Sequence, residues 1–342
     1  MTEPIYAQIF CTLAELDEDL NFLGSEREAK VLPKIRAASD FLQKRIGHFL
    51  PVTKQIRFEG GGECLYLPPF LSISQIINHE TTLDTADYFA EPTTRFWANG
   101  PYGSLEVGPY ATHLQIWSPI DNDVAITANW GLYDLTRLLS ATVQGSGQNE
   151  SQSTLVVSNG ASLSPGMVVK IVSEWEAVES TGSPTNVTTL GAAITDANSQ
   201  VVTFADGSLV NVGEVFRVDV EQFKVRDISG STGLVTRGWN NTPKSTHSNG
   251  ATVAVYRTFN VTRGVNGSTA ASHSASTAIY QQCPPDDVNA LCRKMAGRML
   301  KDAQGGFSGV VGDPTTGQAQ YLYVMPHELD AVLSNYEIPV VR

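Results

Sequence analysis

The stretch from Val235 to Tyr256, VTRGWNNTPKSTHSNGATVAVY, occurs in two versions in this chain. The second version, VTRGVNGSTAASHSASTAIYQ, begins at Val261, a few residues after the first one ends. The residues that match at a constant offset of 26 are Thr236, Arg237, Gly238 and His247 with Thr262, Arg263, Gly264 and His273. An ungapped repeat of this kind predicts one small structural unit that is present twice.

A second repeat in the same region has a different offset. The residues that match 47 positions apart are Gly160, Gly166, Lys170, Ile171, Glu174 and Val178 with Gly207, Gly213, Arg217, Val218, Glu221 and Val225. Both offsets are explained if one β-unit is inserted into a loop of another. The outer unit then consists of residues 155–180 and 259–282, and the inner unit of residues 200–256. Immunoglobulin-like sandwiches and smaller barrels both fit the strand pattern.

Some of the repeated residues have a structural interpretation. The Asn-Gly dipeptide at 159–160 and the Asp-Gly dipeptide at 206–207 are typical of type I′ hairpin turns, in which both central residues need a positive φ. We interpret His247 and His273 as loop histidines that hydrogen-bond their own turns. Each unit offers one histidine beside Ser, Thr and Asn, so no metal site and no cofactor are predicted.

The segments on both sides of the repeats have helical patterns. Thr12 and Glu15 have capping-box spacing before apolar residues that recur every three or four positions. A second helix is predicted from about 31 to 49, and a third begins near Asp286. Between the second and third helices, the run Gly60–Gly62 predicts a hairpin turn between short strands.

The predicted fold class is therefore α+β, with a helical adaptor core that carries a β-hairpin and short strands. This core is discontinuous and consists of residues 1–137 and 283–342. Residues 138–154 are rich in Gly, Ser, Asn and Gln and are predicted to be a linker. Residues 155–282 are predicted to form an inserted all-β region made of the two nested β-units.

Composition excludes several classes of function. The net charge of −12 argues against a surface that grips nucleic-acid phosphates. The four cysteines have neither metal-ligand nor disulfide-scaffold spacing, so they are expected to be reduced thiols. No signal peptide and no membrane span are predicted. Because neither GxSxG nor HExxH occurs and the acidic and histidine residues form no catalytic constellation, we expect a protein that is not an enzyme.

Three segments carry a resemblance to a known family. The first, KVLPKIRAASDFLQKRIGHFLPVTKQIRFEGGGECLYLPPFLSISQI, begins at Lys30; the others are VAITANWGLYD from Val124 and CPPDDVNALCRKMAGRMLK from Cys283. In this order they resemble the head–tail connector (head-completion adaptor) proteins of tailed bacteriophages. The matching residues of the first segment are Ala38, Ser39, Phe49, Phe58, Gly60, Leu65, Leu67, Pro68, Leu71 and Ile73. This chain departs from that family by the long insertion between the second and third segments.

The resemblance implies a structural virion protein of the phage neck, assembled in the host cytoplasm. Such a protein forms a ring of about twelve subunits between the portal protein and the next neck or tail protein. DNA passes through the ring without specific binding, and the β-insertion is available to hold fibres. The portal-binding segment implied is the C-terminal tail, which comprises Tyr336, Glu337, Ile338, Pro339, Val340, Val341 and Arg342. Asp17, Glu18 and Asp19 are candidates for an acidic lumen, with a solvated helix face as the alternative.

A second function is compatible with the inserted region. A β-rich virion module of a tail, baseplate or fibre-attachment protein can bind a host glycan or surface protein. Trp175, Trp239 and Tyr256 would then be stacking platforms, although aromatic side chains in a β-module more often belong to its core.

Overall fold

The computed structural model of this chain describes residues 9–20, 27–46, 51–92, 101–132, 134–304, 310–311, 320–321, 326–334 and 336. Strands account for 40% of the residues and helices for 20%. The prediction of a helical core with a hairpin and short strands is therefore wrong, because three six-stranded antiparallel sheets dominate the fold. The alternating apolar residues between Val52 and Trp130 do not form an appendage to the helices; they build a complete sheet with its own hydrophobic core.

The helices of the described residues come from both ends of the chain. They are α1 (Leu13–Leu20), α2 (Arg27–Ile46), α3 (Asp286–Gln304) and α4 (Pro326–Ser334). The predicted capping box is confirmed, since the N–H of Thr12 donates to Glu15 Oε2 at 2.7 Å and the N–H of Glu15 to Thr12 Oγ1 at 3.2 Å. One apolar core joins the four helices; it includes Leu16, Ile35, Leu42, Val288, Leu291, Cys292 and Leu333. We call this part of the fold the helical layer.

The first sheet lies between α2 and the repeats in the sequence. Its strands are β1 (Val52–Phe58), β2 (Cys64–Asn78), β3 (Thr81–Thr82), β4 (Tyr88–Glu91), β5 (Tyr102–Val107) and β6 (Val124–Trp130). The order is β1-β6-β2-β5-β4, with β3 paired to β2. The predicted hairpin of β1 and β2 is wrong, because β6 lies between them. The N–H groups of Gly60 and Gly61 instead donate to the carbonyl oxygens of Ser118 and Trp117.

The second sheet forms the outer unit of the repeat. Its strands are β7 (Thr136–Thr142), β8 (Thr154–Val156), β9 (Val168–Ile171), β10 (Glu174–Thr181), β17 (Thr258–Thr262) and β18 (Ala278–Gln282). The order is β7-β18-β9-β10-β17-β8, and a bridge between Val143 and Val157 joins its two edges. The sheet therefore closes on itself, and we call it the outer barrel.

The third sheet forms the inner unit and repeats the same topology. Its strands are β11 (Thr185–Thr189), β12 (Val201–Thr203), β13 (Val215–Val218), β14 (Glu221–Ser229), β15 (Thr232–Arg237) and β16 (Thr252–Val255). The order β11-β16-β13-β14-β15-β12 matches the outer barrel strand for strand, and a bridge between Leu190 and Phe204 closes it. This inner barrel is inserted between β10 and β17. Two further strands, β19 (Val310–Val311) and β20 (Gln320–Tyr321), pair with each other.

The unit boundaries differ from the predicted ones. The predicted linker at 138–154 contains most of β7, so the outer barrel starts near 136 rather than 155. The inner barrel likewise starts at 185 rather than 200, because β11 belongs to it. Both errors have one cause. In each barrel a polar loop follows the first strand, and the polar composition led us to assign that strand to the loop as well.

The two predicted type I′ turns are also wrong. Asn159 and Asp206 have extended backbones, with φ of −141° and −139°, and each caps a short 3-10 helix by accepting a hydrogen bond from the N–H two residues later. The following glycines are needed for a different reason. A Cβ at Gly160 would collide with the carbonyl oxygen of Tyr256, and one at Gly207 with that of Gly230. Glycine therefore permits close backbone contact here rather than a positive φ.

The outer barrel contacts the helical layer, the first sheet and the inner barrel. The N–H of Leu13 in the helical layer donates to Pro165 O at 3.1 Å. On the first sheet, the N–H of Thr53 donates to Asn266 O at 3.1 Å. Towards the inner barrel, Glu214 accepts hydrogen bonds from the N–H of Gly160 at 2.8 Å and from Arg257. The outer barrel is thus the structural link between the inner barrel and the rest of the protein.

The last described strands are β19 and β20. Tyr336 follows the end of α4. The hydroxyl of Tyr336 donates to Asp287 Oδ1 at 2.6 Å, close to the start of α3. This contact attaches the last described residue to the helical layer.

Candidate functional site

The inner barrel contains a buried group of ionisable side chains. Arg237 donates to both carboxylate oxygens of Glu221, from Nε at 2.9 Å and from Nη2 at 2.6 Å. His247 Nε2 lies 2.9 Å from Glu221 Oε2, and its Nδ1 lies 2.7 Å from Asp219 Oδ2. Glu221 is 0% exposed, and the other two side chains are also buried. We call Glu221, Arg237 and His247 the inner cluster.

The outer barrel contains the matching group, which we call the outer cluster. Arg263 donates to Glu174 from Nε at 2.7 Å and from Nη2 at 2.6 Å, and His273 Nε2 lies 2.9 Å from Glu174 Oε2. The glutamates match at the offset of 47, whereas the arginines and histidines match at the offset of 26. The clusters therefore explain why both repeats exist. Each barrel combines a glutamate from the repeat with offset 47 and an arginine and a histidine from the repeat with offset 26.

The prediction of loop histidines that hydrogen-bond their own turns misses the main contacts of His247 and His273, although His247 Nε2 also lies 3.3 Å from Ser245 Oγ. Both histidines are buried, and each contacts a glutamate on a distant strand. The signal was present in the sequence, since a Glu, an Arg and a His each recur in both units. It was missed because the partners are far apart along the chain, and spacing rules for motifs address local neighbours.

Each cluster also fixes loops of its barrel. Glu221 accepts hydrogen bonds from the N–H groups of Gly238 and Ser245, and Glu174 accepts them from those of Gly264 and Ala271. The arginines in turn donate to backbone carbonyl oxygens: Arg237 to Asp196 and Ser245, and Arg263 to Asn149, Gln152 and Ala271. The hydrogen bonds of these charged side chains are therefore directed at the backbone of the barrel itself, and this arrangement favours a structural role.

The two matching glutamates, Glu174 and Glu221, are held ionised. Burial raises the pKa of Glu174, but the hydrogen bonds from Arg263 and from the N–H of Ala271 outweigh it, so the pKa lies below its ordinary value. The pKa of Glu221 is lowered in the same way, with burial opposed by hydrogen bonds from Arg237 and His247. A carboxylate with a depressed pKa and a full set of donors is a poor general base near neutral pH.

A second buried carboxyl distinguishes the outer cluster from the inner one. The outer barrel has a second buried carboxyl, Glu176, which accepts a hydrogen bond from Gln148 Nε2 at 3.3 Å. At the corresponding places the inner barrel has Phe223 and Ile194 in its apolar core. Burial, reinforced by the charge of Glu174 and opposed by that of Arg263, raises the pKa of Glu176 to about 7. Because Glu176 is 0% exposed, no substrate reaches it, and we do not assign it a catalytic role.

The ligand atoms of Glu174, Glu176 and His273 all lie within 4.8 Å of one another, as in a metal site. Arg263, however, lies between the two carboxylates, with nitrogen atoms at 2.6 Å from Glu174 and 3.0 Å from Glu176. A divalent cation would have to enter beside this fixed positive charge. The group therefore does not fit a metal, and the arginine acts as its internal cation.

The predicted site residues lie in the helical layer or outside the described part. Asp17 is a partly buried residue of α1; Glu18 and Asp19 lie on the same helix, and their side chains fall outside the described residues. Tyr336 contacts Asp287, as described above. The remainder of the predicted tail, Glu337 to Arg342, also lies outside the described residues. The portal-binding and lumen assignments stay predictions.

A cleft of about 420 Å³ lies where the two barrels and the helical layer meet. Glu28, Ser164 and Thr181 line it from the helical layer and the outer barrel. From the inner barrel it is lined by Gly213, Val215, Gln222, Lys224, Trp239, Asn240 and Tyr256. Two of the aromatic residues predicted as stacking platforms, Trp239 and Tyr256, are therefore together in one cleft. The third, Trp175, packs against Val168, Ala177 and Val265 of the outer barrel instead.

No helix in the described part of the chain is both long and apolar enough to cross a membrane. Comparisons with family models, curated proteins and solved structures gave no match to this chain.

Proposed function

We propose that this chain is a structural adaptor of a tailed-phage neck, a ring-forming subunit that joins the portal to the tail. The observation that carries the proposal is the spatial relation of the three segments that resemble the connector family. Leu132, near the end of the second segment, belongs to the same hydrophobic core as Val288 and Leu291 of the third. The first segment supplies α2 to this core as well as β1 and β2 of the first sheet. Segments that a long insertion separates in sequence are thus neighbours in the fold.

The ionisable groups support a role without catalysis. Both Glu–Arg–His clusters are buried and have their hydrogen bonds directed at the barrel backbone. The lowered pKa values of Glu174 and Glu221 reflect carboxylates that are stabilised in the ionised form. Such carboxylates do not suit proton transfer near neutral pH. In an assembled particle, such clusters would keep the two small barrels rigid.

The tail assignment rests on sequence and on one contact. Tyr336, the first residue of the predicted tail, is bound to Asp287 at the start of α3 in the helical layer. The sequence that follows it, EIPVVR, is apolar and β-prone, which suits addition as a strand to a neighbouring protein. In the proposed ring, this neighbour is the portal. The net charge of −12 suits a channel through which DNA slides without being bound.

The test is electron microscopy of the full chain mixed with the portal protein encoded in the same genome. We expect a ring of this protein on the tail-facing side of the portal. A chain lacking Glu337–Arg342 should fold but fail to dock. As the control, a chain in which a short Gly-Ser turn replaces residues 183–257 should dock normally, because β10 and β17 are adjacent strands that such a turn can join.

Two results would contradict the proposal. If the intact chain forms no ring on the portal and is found at the distal tail or on fibres, the neck assignment is wrong. If the chain without its tail docks as well as the intact chain, the tail is not the portal contact, although the ring itself would stand.

A further inference from the structure

The two barrels provide an internal comparison of one surface. On the outer barrel, this surface faces the helical layer and the first sheet, and it comprises Gly166, Val168, Trp175, Ala177, Val265, Asn266 and Gln282. Gly166 lies against Cys11 and Leu32 of the helical layer, and Asn266 accepts the hydrogen bond from Thr53 of the first sheet. Val168, Ala177 and Val265 are at most 3% exposed, and they form an apolar cluster separate from the barrel interior. We call this surface the docking face.

The repeat offsets locate the same face on the inner barrel. The corresponding residues are Gly213, Val215, Gln222, Lys224, Trp239, Asn240 and Tyr256. These are the seven residues that line the cleft from the inner barrel. The surface that the outer barrel uses to dock on the rest of the protein is therefore, on the inner barrel, the wall of an open cleft.

The chemistry of the face differs between the barrels. Two apolar residues of the outer docking face, Trp175 and Ala177, are replaced by Gln222 and Lys224. The small Val265 is replaced by Trp239, whose ring lies 4.5 Å from the ammonium group of Lys224. The docking face of the outer barrel is thus mainly apolar, whereas the same face of the inner barrel presents an aromatic ring, a cation and side-chain amides.

The polar groups of the cleft are connected and oriented. Asn240 Nδ2 donates to Gln222 Oε1 at 2.8 Å, and Gln222 Nε2 donates to the hydroxyl oxygen of Tyr256 at 3.2 Å. The tyrosine proton is therefore available for donation. At the other end of this chain of hydrogen bonds, Asn240 Oδ1 is buried and has no hydrogen-bond partner. A buried acceptor of this kind is costly unless a donor reaches it.

We propose that this cleft binds carbohydrate, with one pyranose unit placed against Trp239. A pyranose has an apolar face of C–H groups for an aromatic ring and hydroxyl groups on its edge. The Tyr256 hydroxyl and the Lys224 ammonium donate to hydroxyl groups of the sugar. The cleft volume of about 420 Å³ suits one or two sugar units and is too small for a folded protein partner.

The first experiment uses the full chain and the methyl glycosides of glucose, galactose, N-acetylglucosamine and glucuronic acid at millimolar concentration. Saturation-transfer NMR should detect binding of at least one of them, with the transfer strongest at the C–H face of the ring. Titration calorimetry gives the affinity. The glucuronide tests whether Lys224 adds a preference for a carboxylate, whereas the three neutral sugars test the shared pyranose chemistry.

The variants follow from the repeat. Trp239→Val installs the residue of the outer barrel at this position and should weaken binding at least about tenfold. Gln222→Trp also copies the outer barrel and should fill the cleft and abolish binding. Tyr110→Ala is the matched control, because Tyr110 is 86% exposed and lies on a loop of the first sheet, away from the cleft. Melting curves show whether each variant folds like the parent chain.

Three results would overturn the proposal. The first is the absence of saturable binding by any of the four glycosides. The second is binding that survives in both cleft variants while they remain folded. The third is a change of oligomeric state in Trp239→Val without any sugar binding by the parent chain, which would identify the face as a contact between proteins. The proposal does not depend on the ring assignment, and sugar binding can succeed or fail whatever electron microscopy shows at the portal.

Discussion

The inner and outer barrels have the same strand order and the same Glu–Arg–His cluster, yet at one pair of interior positions the outer barrel is polar and the inner barrel is apolar. The outer barrel has Glu176 beside Gln148, whereas the inner barrel has Phe223 and Ile194. The replacement involves both members of the pair, because a buried carboxyl needs a donor and a buried phenylalanine needs an apolar neighbour. The cluster and the strand order are common to both barrels, whereas other interior residues differ, and at this pair of positions both neighbours differ together.

The same comparison holds for the outside of the barrels. One face is apolar and buried against protein in the outer barrel, and polar and open in the inner barrel. The outer barrel is attached to the rest of the chain through this face, whereas the inner barrel leaves it open.

The largest expected effect comes from removing the arginine of a cluster. Arg237→Ala leaves Glu221 buried without its main partner and should lower the free energy of unfolding of the inner barrel by about 3–5 kcal/mol. Arg263→Ala should have an effect of similar size in the outer barrel. Hydrogen exchange followed by mass spectrometry assigns each loss to its own strands. A loss below about 1 kcal/mol in both variants would mean that the clusters do not specify the barrels.

A somewhat smaller effect is expected where the barrels differ in attachment. Gly267 has φ of +77°, and a Cβ there would collide with the backbone of Thr53. Gly267→Ala should therefore cost about 2–3 kcal/mol and speed hydrogen exchange at the Thr53 N–H. The matched control is Asn241→Ala, at the corresponding position of the inner barrel, where φ is +59° and the side chain is exposed. The control should cost about 1 kcal/mol, and equal costs would exclude a docking role for Gly267.

The pH dependence tests the carboxyl that only the outer barrel contains. The pKa of Glu176 is about 7 in the folded chain and ordinarily 4.5. Between these values the folded state binds the extra proton, so this group lowers stability as pH rises and its full cost of about 1–3 kcal/mol is present above pH 7. Melting temperatures measured from about pH 5 to about pH 8 should fall less steeply for Glu176→Gln than for the parent chain. Identical slopes would show that Glu176 does not titrate in this range.

The smallest effect is expected when Gln148 and Glu176 of the outer barrel are replaced by the residues at the corresponding positions of the inner barrel. Gln148→Ile together with Glu176→Phe removes a buried polar pair and leaves Arg263 paired with Glu174, so stability should be unchanged or rise by up to about 2 kcal/mol. Gln148→Ile alone should cost about 1–3 kcal/mol, because Glu176 then loses its donor. Urea denaturation of the two variants compares them directly. A double variant less stable than the single one would show that the two interiors are not interchangeable.

The sequence predicted the nesting of the β-units because matching residues keep their order through the insertion. It left open whether they are sandwiches or barrels, since closure depends on bridges such as that between Leu190 and Phe204, which no local pattern encodes. The prediction of a mainly helical core was wrong for a similar reason. The stripes of α2 and α3 are long and regular, whereas β2 and β6 come together only through the sheet, with β6 inserted between β1 and β2.

The candidate site was predicted in part. Trp239 and Tyr256 were identified as possible ligand contacts, and they do line one cleft. Their neighbours Gln222, Lys224 and Asn240 have no sequence signal of their own. They become recognisable only through the repeat, once the corresponding face of the outer barrel is known to be buried.

The insertion of one barrel into a hairpin of the other also sets an order of folding. The strands of the inner barrel all come from residues 185–255, so its contacts form without closing any longer loop. The pairing of β10 with β17 must instead bring together residues that the whole inner barrel separates in sequence. Once the inner barrel has folded, its two ends lie side by side, and the long loop behaves like a short one. We therefore expect the inner barrel to act as the nucleus on which the outer barrel closes.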